Sequence, residues 1–173
     1  MIKFKTLADA VRLAEAAHYT QVDKAGLPYI EHPRRVMQKV QAQGALPFVQ
    51  IAAIFHDITE DTAYTPEILL ALGFSEAAVD IVKLLDRGYS KRLFHAANAG
   101  RDLDNSGKWY LSLGPDAEDE FYYNNIKANP GAKMVKLADI DDNMEPWRQS
   151  YLSMETQERL LIKYTKAREI LNA

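Results

Sequence analysis

Apolar residues recur every three to four positions along most of the chain, a period that predicts amphipathic helices. The first predicted helix covers residues 6 to 18 with Thr6 as its N-cap, and the second runs from Pro33 to about residue 43. A third, over residues 47 to 57, is apolar on all sides and is expected to be the central buried helix. The chain shows no sustained alternation of strand type, so the pattern predicts an all-α fold.

Further helices follow, with one long interruption. Their predicted ranges are 65–72 with Thr65 and Pro66 at its start, 75–86 capped by Ser75, 116–128, 132–142 and 155–171. Between residues 87 and 117 glycine, proline and polar residues are frequent, which predicts a long irregular insertion with room for a short helix over 91–99. The whole chain, residues 1–173, is therefore predicted to form a single helical domain.

The composition excludes several classes of protein. With 47% apolar and 26% charged residues, the chain resembles neither a disordered protein nor a coiled coil. It has no apolar run of the ~20 residues that a membrane span needs and no signal-peptide pattern, so we expect a cytoplasmic protein without a membrane partner. A net charge of −3 does not predict a nucleic-acid partner. Because cysteine is absent, any metal must be held by His, Asp or Glu.

Candidate chemistry concentrates where the most apolar helix ends, in the segment Phe55-His56-Asp57-Ile58-Thr59-Glu60-Asp61-Thr62. If the helix continues through this segment, His56 lies over Glu60 and Asp57 lies over Asp61. Three carboxylates this close repel one another, and a divalent cation would supply the compensating charge. The alternative is a solvated acidic helix end.

Two more residues extend this set: His32, just before the second helix, and Asp139, late in the helix over 132–142. Each alone could be an ordinary structural residue. Together with His56 and Asp57 they offer two imidazoles and two carboxylates, which suit Mn²⁺, Fe²⁺ or Zn²⁺ with positions left for water. Such an ion lowers the pKa of water, and a neighbouring carboxyl can orient the water or supply a proton, so the set is suited to activating a water molecule.

Three ordered blocks carry a family resemblance. They are Gly26-Leu27-Pro28-Tyr29-Ile30-Glu31-His32-Pro33, then Ala52-Ala53-Ile54-Phe55-His56-Asp57-Ile58-Thr59-Glu60-Asp61-Thr62, then Lys136-Leu137-Ala138-Asp139 with Asn143-Met144. The chain resembles HD-domain metal-dependent phosphohydrolases and, more narrowly, the RelA/SpoT-type hydrolase domain, including small stand-alone forms. The resemblance covers about residues 5 to 147, with 87 to 120 unmatched. It implies a helical HD domain that removes the 3′-pyrophosphate of (p)ppGpp in the stringent response.

The resemblance also implies roles for individual residues. One divalent metal, usually Mn²⁺ in this family, would be bound by His32, His56, Asp57 and Asp139. Glu60 and Asp61 would be the catalytic carboxylates beside it, and the residues leave open which of them is the acid. Lys24 matches a basic position that approaches substrate phosphate, whereas Tyr29 and Asn143 match positions near the nucleotide.

Some positions expected to face the substrate depart from the family pattern. Asp23 replaces one of two basic residues, and Ile140 and Glu145 stand where arginines are usual. Fewer cations predict weaker binding of ppGpp, because charge-assisted hydrogen bonds to phosphate are strong. The alternatives are therefore hydrolysis of another nucleotide, either 3′-phosphorylated or an adenosine analogue, and a non-catalytic regulatory module that binds metal and nucleotide. The intact pair Glu60 and Asp61 favours an enzyme.

The insertion and the last helix leave further alternatives open. The insertion could act as an active-site lid or be a solvated loop, and its basic and aromatic residues are Arg87, Lys91, Arg92, His95, Arg101, Lys108, Trp109 and Tyr110. At least one of Tyr122 and Tyr123 is expected to be core. The last helix would serve for packing or as a dimer face, which leaves a homo-oligomer open.

Overall fold

Our computed structural model describes residues 5–99 and 116–173, and every regular element within them is a helix. In chain order the helices are α1 (Leu7–Ala17), α2 (Glu31–Ala42), α3 (Pro47–Ile54), α4 (Ile58–Asp61), α5 (Pro66–Ala71), α6 (Glu76–Leu85), α7 (Arg87–Asn98), α8 (Ala117–Lys127), α9 (Pro130–Asn143), α10 (Pro146–Gln149) and α11 (Met154–Asn172). The only β pairing in these two ranges is an isolated bridge between Val22 and Pro28. The predicted all-α class is confirmed.

Two predicted N-caps, Thr6 and Ser75, and the predicted helix start at Thr65 mark where three helices begin. The Thr6 hydroxyl accepts the Asp9 backbone N–H at 3.3 Å, and the Asp9 carboxylate accepts the Thr6 N–H at 2.8 Å, which together form a capping box. Thr65 and Ser75 cap α5 and α6 by accepting the backbone N–H three residues further on. These caps define the starts of the helices whose apolar faces enter the core.

Helix α3 lies at the centre of the fold, as its apolar sequence predicts. Its residues Ala52, Ala53 and Ile54 are fully buried. Helices α1, α2, α6 and α9 all pack against it. The C-terminal end of α3 is therefore deep in the molecule, and any polar residue that follows it must find partners there.

The predicted continuation of this helix to Asp57 is wrong. Helix α3 ends at Ile54, residues 55 to 57 form a turn, and the short α4 follows. The Phe55 N–H is shared between the carbonyls of Ile51 and Ala52, at 3.2 Å each, which tightens the chain out of the α-helical path. The condition for His56 to lie over Glu60 on a continuous helix is therefore not met, whereas Asp57 keeps a helical relation to Asp61, whose N–H bonds to the Asp57 carbonyl at 2.9 Å.

Helix α2 begins two residues earlier than predicted, so His32 lies in its first turn rather than before it. The N–H groups of Glu31 and His32 already bond to the carbonyls of Pro28 and Tyr29, at 3.1 and 3.0 Å, and this starts the helix before Pro33. Proline is compatible with a first turn because no N–H is needed there. His32 is thus held on a buried helix rather than on a loop.

The segment 87–117 is not irregular at its beginning. Helix α7 occupies Arg87–Asn98, and Asp86 caps it by accepting the Tyr89 N–H at 2.7 Å. The periodicity is weak here because Ser90 and Phe94 are the buried residues of this helix. Arg101, Lys108, Trp109 and Tyr110, which the sequence left open as part of a lid or of a solvated loop, lie outside the described residues.

The remaining helices complete the wall around α3. Helix α9 is longer than predicted and carries Asp139 on its buried side, while α8 buries both Tyr122 and Tyr123. The short α10 was not predicted. None of the helices in the described part of the chain has the length and apolar character to cross a membrane.

Candidate active site

Four side chains from three separate segments converge beside the end of α3. The ligand atoms of His32, His56 and Asp57 all lie within 4.8 Å of one another, and His56 Nε2 is 3.0 Å from Asp57 Oδ2. Asp139 Oδ1 lies 3.2 Å from His32 Nε2 and 3.7 Å from His56 Nε2. All four residues are buried or nearly so. The structure therefore brings together the four residues that the sequence singled out as a metal-ligand set.

The two imidazoles are oriented so that their Nε2 atoms face each other at 3.3 Å. His56 Nδ1 lies 2.9 Å from the Ala53 carbonyl and His32 Nδ1 lies 2.7 Å from an Asp142 oxygen, so each Nδ1 acts as the donor. Both Nε2 lone pairs then point at the same place as the carboxylate oxygens. Without a positive charge between them these atoms repel one another, so the donor set fits a divalent cation.

The electrostatics of the site favour positive charge as well. Burial opposes a charge on His56, but the carboxylates of Asp57 and Asp139 outweigh it and raise the imidazole pKa well above its ordinary value. The pKa of His32 is raised against burial by its hydrogen bonds to Asp139 and Asp142. A cation at this point would satisfy the same carboxylates.

Asp142, which sequence reasoning missed, supports His32 from behind. Its fully buried carboxylate contacts His32 Nδ1 and accepts hydrogen bonds from Arg35, at 2.7 and 3.0 Å, and from Arg148, at 2.5 Å. A carboxylate behind a histidine orients the ring and fixes its tautomer. The available signal was its place three residues after Asp139 on α9, where the two acids share a face.

Two polar side chains of α9 hold Asp139. Lys136 Nζ lies 2.8 Å from Asp139 Oδ2, and the Asn143 side-chain amide donates to Oδ1 at 2.6 Å. Asn143, predicted near the nucleotide, also lines the cavity described below. It therefore has a structural contact in addition to any contact with a substrate.

The two predicted catalytic carboxylates occupy different positions. Glu60 lines the cavity and accepts the backbone N–H of Arg87 at the start of α7; burial raises its pKa. Asp61 is not among the cavity-lining residues, and its side chain faces the Tyr29 hydroxyl; burial and the nearby Asp57 raise its pKa. Tyr29 also donates to Asp57 and lines the cavity.

A cavity of about 450 Å³ opens over the four converging residues. Among the residues that the structure describes, the cations that line it are Lys24, Arg87, Lys136, Arg148 and Lys163. Four of these, all except Lys24, were not predicted to bind substrate as individual residues, although Arg87 lies at the start of the insertion whose basic residues were noted. The cavity is thus lined by carboxylates and imidazoles and also by several lysine and arginine side chains.

The positions where family arginines are missing do not face this cavity. Ile140 is fully buried in the core, and Glu145 pairs with Lys39 of α2 at 2.7 Å and is not among the cavity-lining residues. The prediction that these two positions face substrate is therefore wrong for this chain. Asp23 does line the cavity, but its carboxylate accepts the N–H groups of Ala25 and Leu27 and so shapes the loop.

Comparisons with known proteins agree with this geometry. No protein-family model matches the chain. A protein of Mycobacterium leprae named "Probable GTP pyrophosphokinase" is 33% identical over 165 residues, which make up 94% of this chain and 17% of that protein. A guanosine-3′,5′-bis(diphosphate) 3′-pyrophosphohydrolase of Borreliella burgdorferi is 28% identical over 159 residues, or 90% of this chain and 21% of that protein. The chain thus spans about a fifth or less of the length of these relatives.

A solved structure shares the fold over almost the whole chain. It is described as a metazoan ortholog of SpoT that hydrolyzes ppGpp, and it superposes with a TM-score of 0.69 at 19% identity, covering 99% of this chain and 88% of that one. The predicted resemblance to the RelA/SpoT-type hydrolase domain is confirmed by these similarities, and the helical fold is the one that this hydrolase adopts.

Proposed function

We propose that the chain is a metal-dependent phosphohydrolase that removes the 3′-pyrophosphate of (p)ppGpp. The observation that carries this proposal is the convergence of two Nε2 atoms and two carboxylate oxygens, from His32, His56, Asp57 and Asp139, beneath a cavity lined by cations. The names of the pyrophosphohydrolase relatives and the activity stated for the structural neighbour support the choice of substrate.

One divalent ion would be held by His32, His56, Asp57 and Asp139, since imidazoles combined with carboxylates suit Mn²⁺, Fe²⁺ or Zn²⁺. Among these we propose Mn²⁺, the metal usual in the family that the chain resembles. When bound, such an ion lowers the pKa of water and stabilises the charge that develops on phosphoryl oxygen. The protein supplies the orientation: Asp142 fixes the His32 ring, and Lys136 with Asn143 fixes the Asp139 carboxylate.

The remaining chemistry is proton transfer and substrate positioning. Hydrolysis releases inorganic pyrophosphate and leaves a ribose 3′-hydroxyl, so the departing oxygen needs a proton. Glu60 lines the cavity and burial raises its pKa, which suits a carboxyl that must hold a proton until the bond breaks. Asp61 instead positions Tyr29, and Lys24, Tyr29 and Asn143 contact the nucleotide.

The test is incubation of the Mn²⁺-loaded protein with ppGpp, with products separated by anion-exchange chromatography. We expect GDP and pyrophosphate in equal amounts, and loss of turnover in Asp57→Ala and after chelation. The matched control Asp141→Asn changes a surface acid that pairs with Arg168, and it should retain activity. Intact ppGpp after incubation with Mn²⁺, Fe²⁺, Zn²⁺ and Mg²⁺ in turn would contradict the proposal.

A second candidate substrate is favoured by one observation, the carboxylate of Asp23 in the cavity lining. An anion at this position suits a nucleotide with fewer phosphates, such as a 3′-phosphorylated guanosine or an adenosine analogue. Turnover of such a nucleotide with kcat/KM far above that for ppGpp would favour it. The non-catalytic regulatory module would be favoured if Asp57→Ala kept its affinity for ppGpp in calorimetry and the wild type showed no turnover.

Four expectations from the sequence stay predictions. They are the single domain over 1–173, cytoplasmic residence, a role in the stringent response and a homo-oligomer.

A further inference from the structure

The cationic residues in the cavity differ in whether a carboxylate neutralises them. Three are ion-paired: Arg87 with Asp119 at 2.6 Å, Lys136 with Asp139 at 2.8 Å, and Arg148 with Asp142 at 2.5 Å. Within residues 5–99 and 116–173, neither Lys24 nor Lys163 has a carboxylate within ion-pair distance. Lys24 was expected from the sequence to approach phosphate, whereas Lys163 belongs to a helix expected to serve only for packing or dimerisation.

Helix α11 presents Lys163 to the cavity together with two neighbours. Leu160, Lys163 and Tyr164 line the cavity at helical spacing, while Ala167 and Leu171 of the same helix are buried in the core. The Lys163 ammonium lies 5.5 Å from the centroid of the Tyr164 ring. The buried residues anchor the helix, so the lysine is carried on a packed element rather than on a loop.

Lys163 has no carboxylate of its own at ion-pair distance in the described part of the chain. Burial lowers the pKa of its ammonium and the nearby Arg87 and Lys136 lower it further, which together outweigh the opposing effect of Asp119 and Asp139. An ammonium in this position at the cavity wall is stabilised when an anion enters the cavity. Lys163 as a residue is exposed and lines the cavity, so its side chain can reach such an anion.

We propose that Lys163 binds a phosphate group of the substrate and thereby supplies the cavity with a cation that no carboxylate of the described residues pairs with. The inference rests on the proposed function for the identity of the substrate, but the charge arrangement by itself points to a phosphate-bearing ligand. A lysine suits this task because its ammonium is a compact charge with three donors on a flexible stem. Lys163 is then a determinant of substrate affinity, while the reacting atoms stay with the residues around Glu60 and Asp57.

The test compares Lys163→Gln with Lys166→Gln. Lys166 lies three residues further along the same helix, pairs with Asp116 at 2.5 Å and does not line the cavity, so it controls for loss of a positive charge from α11. Binding of inorganic pyrophosphate to each Mn²⁺-loaded protein is measured by calorimetry, and KM and kcat are measured with ppGpp. Lys163→Arg tests rescue by a second cation.

We expect Lys163→Gln to weaken pyrophosphate binding and raise the KM for ppGpp on the order of 10- to 100-fold, the effect of losing a hydrogen bond between charged groups. The kcat should stay within a few-fold of the wild type, and Lys163→Arg should recover most of the affinity. Equal Kd and KM values in Lys163→Gln and Lys166→Gln would overturn the proposal.

A second substrate identifies which phosphate is bound and separates this proposal from the proposed function. If the rise in KM disappears with guanosine 3′-diphosphate, Lys163 binds the 5′-diphosphate; if it persists, Lys163 binds the 3′-pyrophosphate. If the wild type does not hydrolyse ppGpp but Lys163→Gln still weakens pyrophosphate binding, the phosphate site stands and the proposed function fails.

Discussion

Replacement of Asp142 by asparagine tests whether the support behind His32 matters for both folding and metal binding. The asparagine has the same shape but no negative charge. It leaves the guanidinium groups of Arg35 and Arg148 without their carboxylate, and it removes the charged partner of His32 Nδ1. The fold around α2 and α9 depends on this contact because Asp142 joins the two helices.

The size of the effect follows from burial. Removing one partner of a buried ion pair costs about 3 to 5 kcal/mol, because the remaining charge loses its compensation. Here the side chains of Arg35 and Arg148 are 26% and 14% exposed, so water can compensate part of their charge. We therefore expect a loss of about 2 to 3 kcal/mol in the free energy of unfolding, or roughly 5 to 10 °C in Tm for a chain of this size.

The pH dependence has a defined sign. Burial alone would raise the pKa of the Asp142 carboxyl, but the hydrogen bonds from His32 and Arg35 hold it well below its ordinary value. Its stabilising contribution is therefore complete above the unfolded-state pKa of about 4 and is lost as the pH falls toward the depressed folded value. The difference in stability between wild type and Asp142→Asn should shrink as the pH is lowered below about 4.

The assays are thermal unfolding monitored by circular dichroism and Mn²⁺ binding measured by calorimetry. Because Asp142 orients a proposed ligand, we expect Mn²⁺ affinity to fall roughly 10- to 100-fold. Asp141→Asn is the control, since Asp141 is next to Asp142 in the sequence but its carboxylate is 45% exposed and pairs on the surface with Arg168. We expect this variant to lose less than about 1 kcal/mol in the free energy of unfolding. The reasoning is refuted if the two variants melt at the same temperature and bind Mn²⁺ equally.

Three further predictions concern single residues. Glu60→Gln should lower kcat by roughly 100-fold or more, whereas Asp61→Asn should have the smaller effect because Asp61 does not line the cavity; equal losses in steady-state assays would contradict this assignment. Gly44→Ala should lower the free energy of unfolding in urea by about 1 kcal/mol, since Gly44 has φ +76° with open space around it and alanine is strained in this conformation. Gly44→Asn should lose less, because asparagine adopts positive φ more readily, and an alanine variant as stable as the wild type would contradict this reasoning. Thr6→Ala should cost about 1 kcal/mol through loss of the capping box, and unchanged unfolding would count against that cap.

Local signals predicted much of the fold. Thr6 and Ser75 were identified as N-caps, and Thr65 as the start of a helix, because a side-chain oxygen before an apolar run has a local partner three residues away. The end of α3 was not predicted, because the apolar run continues through Phe55 and periodicity contains no signal for a shared hydrogen bond. Helix α7 was underestimated because its buried face is short and Gly88 lies within it.

The candidate site, like the fold, could be predicted from the sequence only in part. His32, His56, Asp57 and Asp139 could be proposed from residue type and family motifs, and the structure brings them together. Asp142 follows Asp139 by three residues, but this spacing does not indicate its contact with His32, and no local signal singles out Lys163, because both contacts depend on which helices pack beside them. An acid in a helix and a lysine in an amphipathic helix are common, and only tertiary structure places the first behind His32 and the second at the cavity.

Anomalous diffraction at the manganese absorption edge, from crystals grown with Mn²⁺, tests the central claim most directly. The account predicts one anomalous peak per chain, coordinated by the Nε2 atoms of His32 and His56 and by carboxylate oxygens of Asp57 and Asp139. A map without a peak at this point, or with the ion bound elsewhere while the protein still hydrolyses ppGpp, would contradict it.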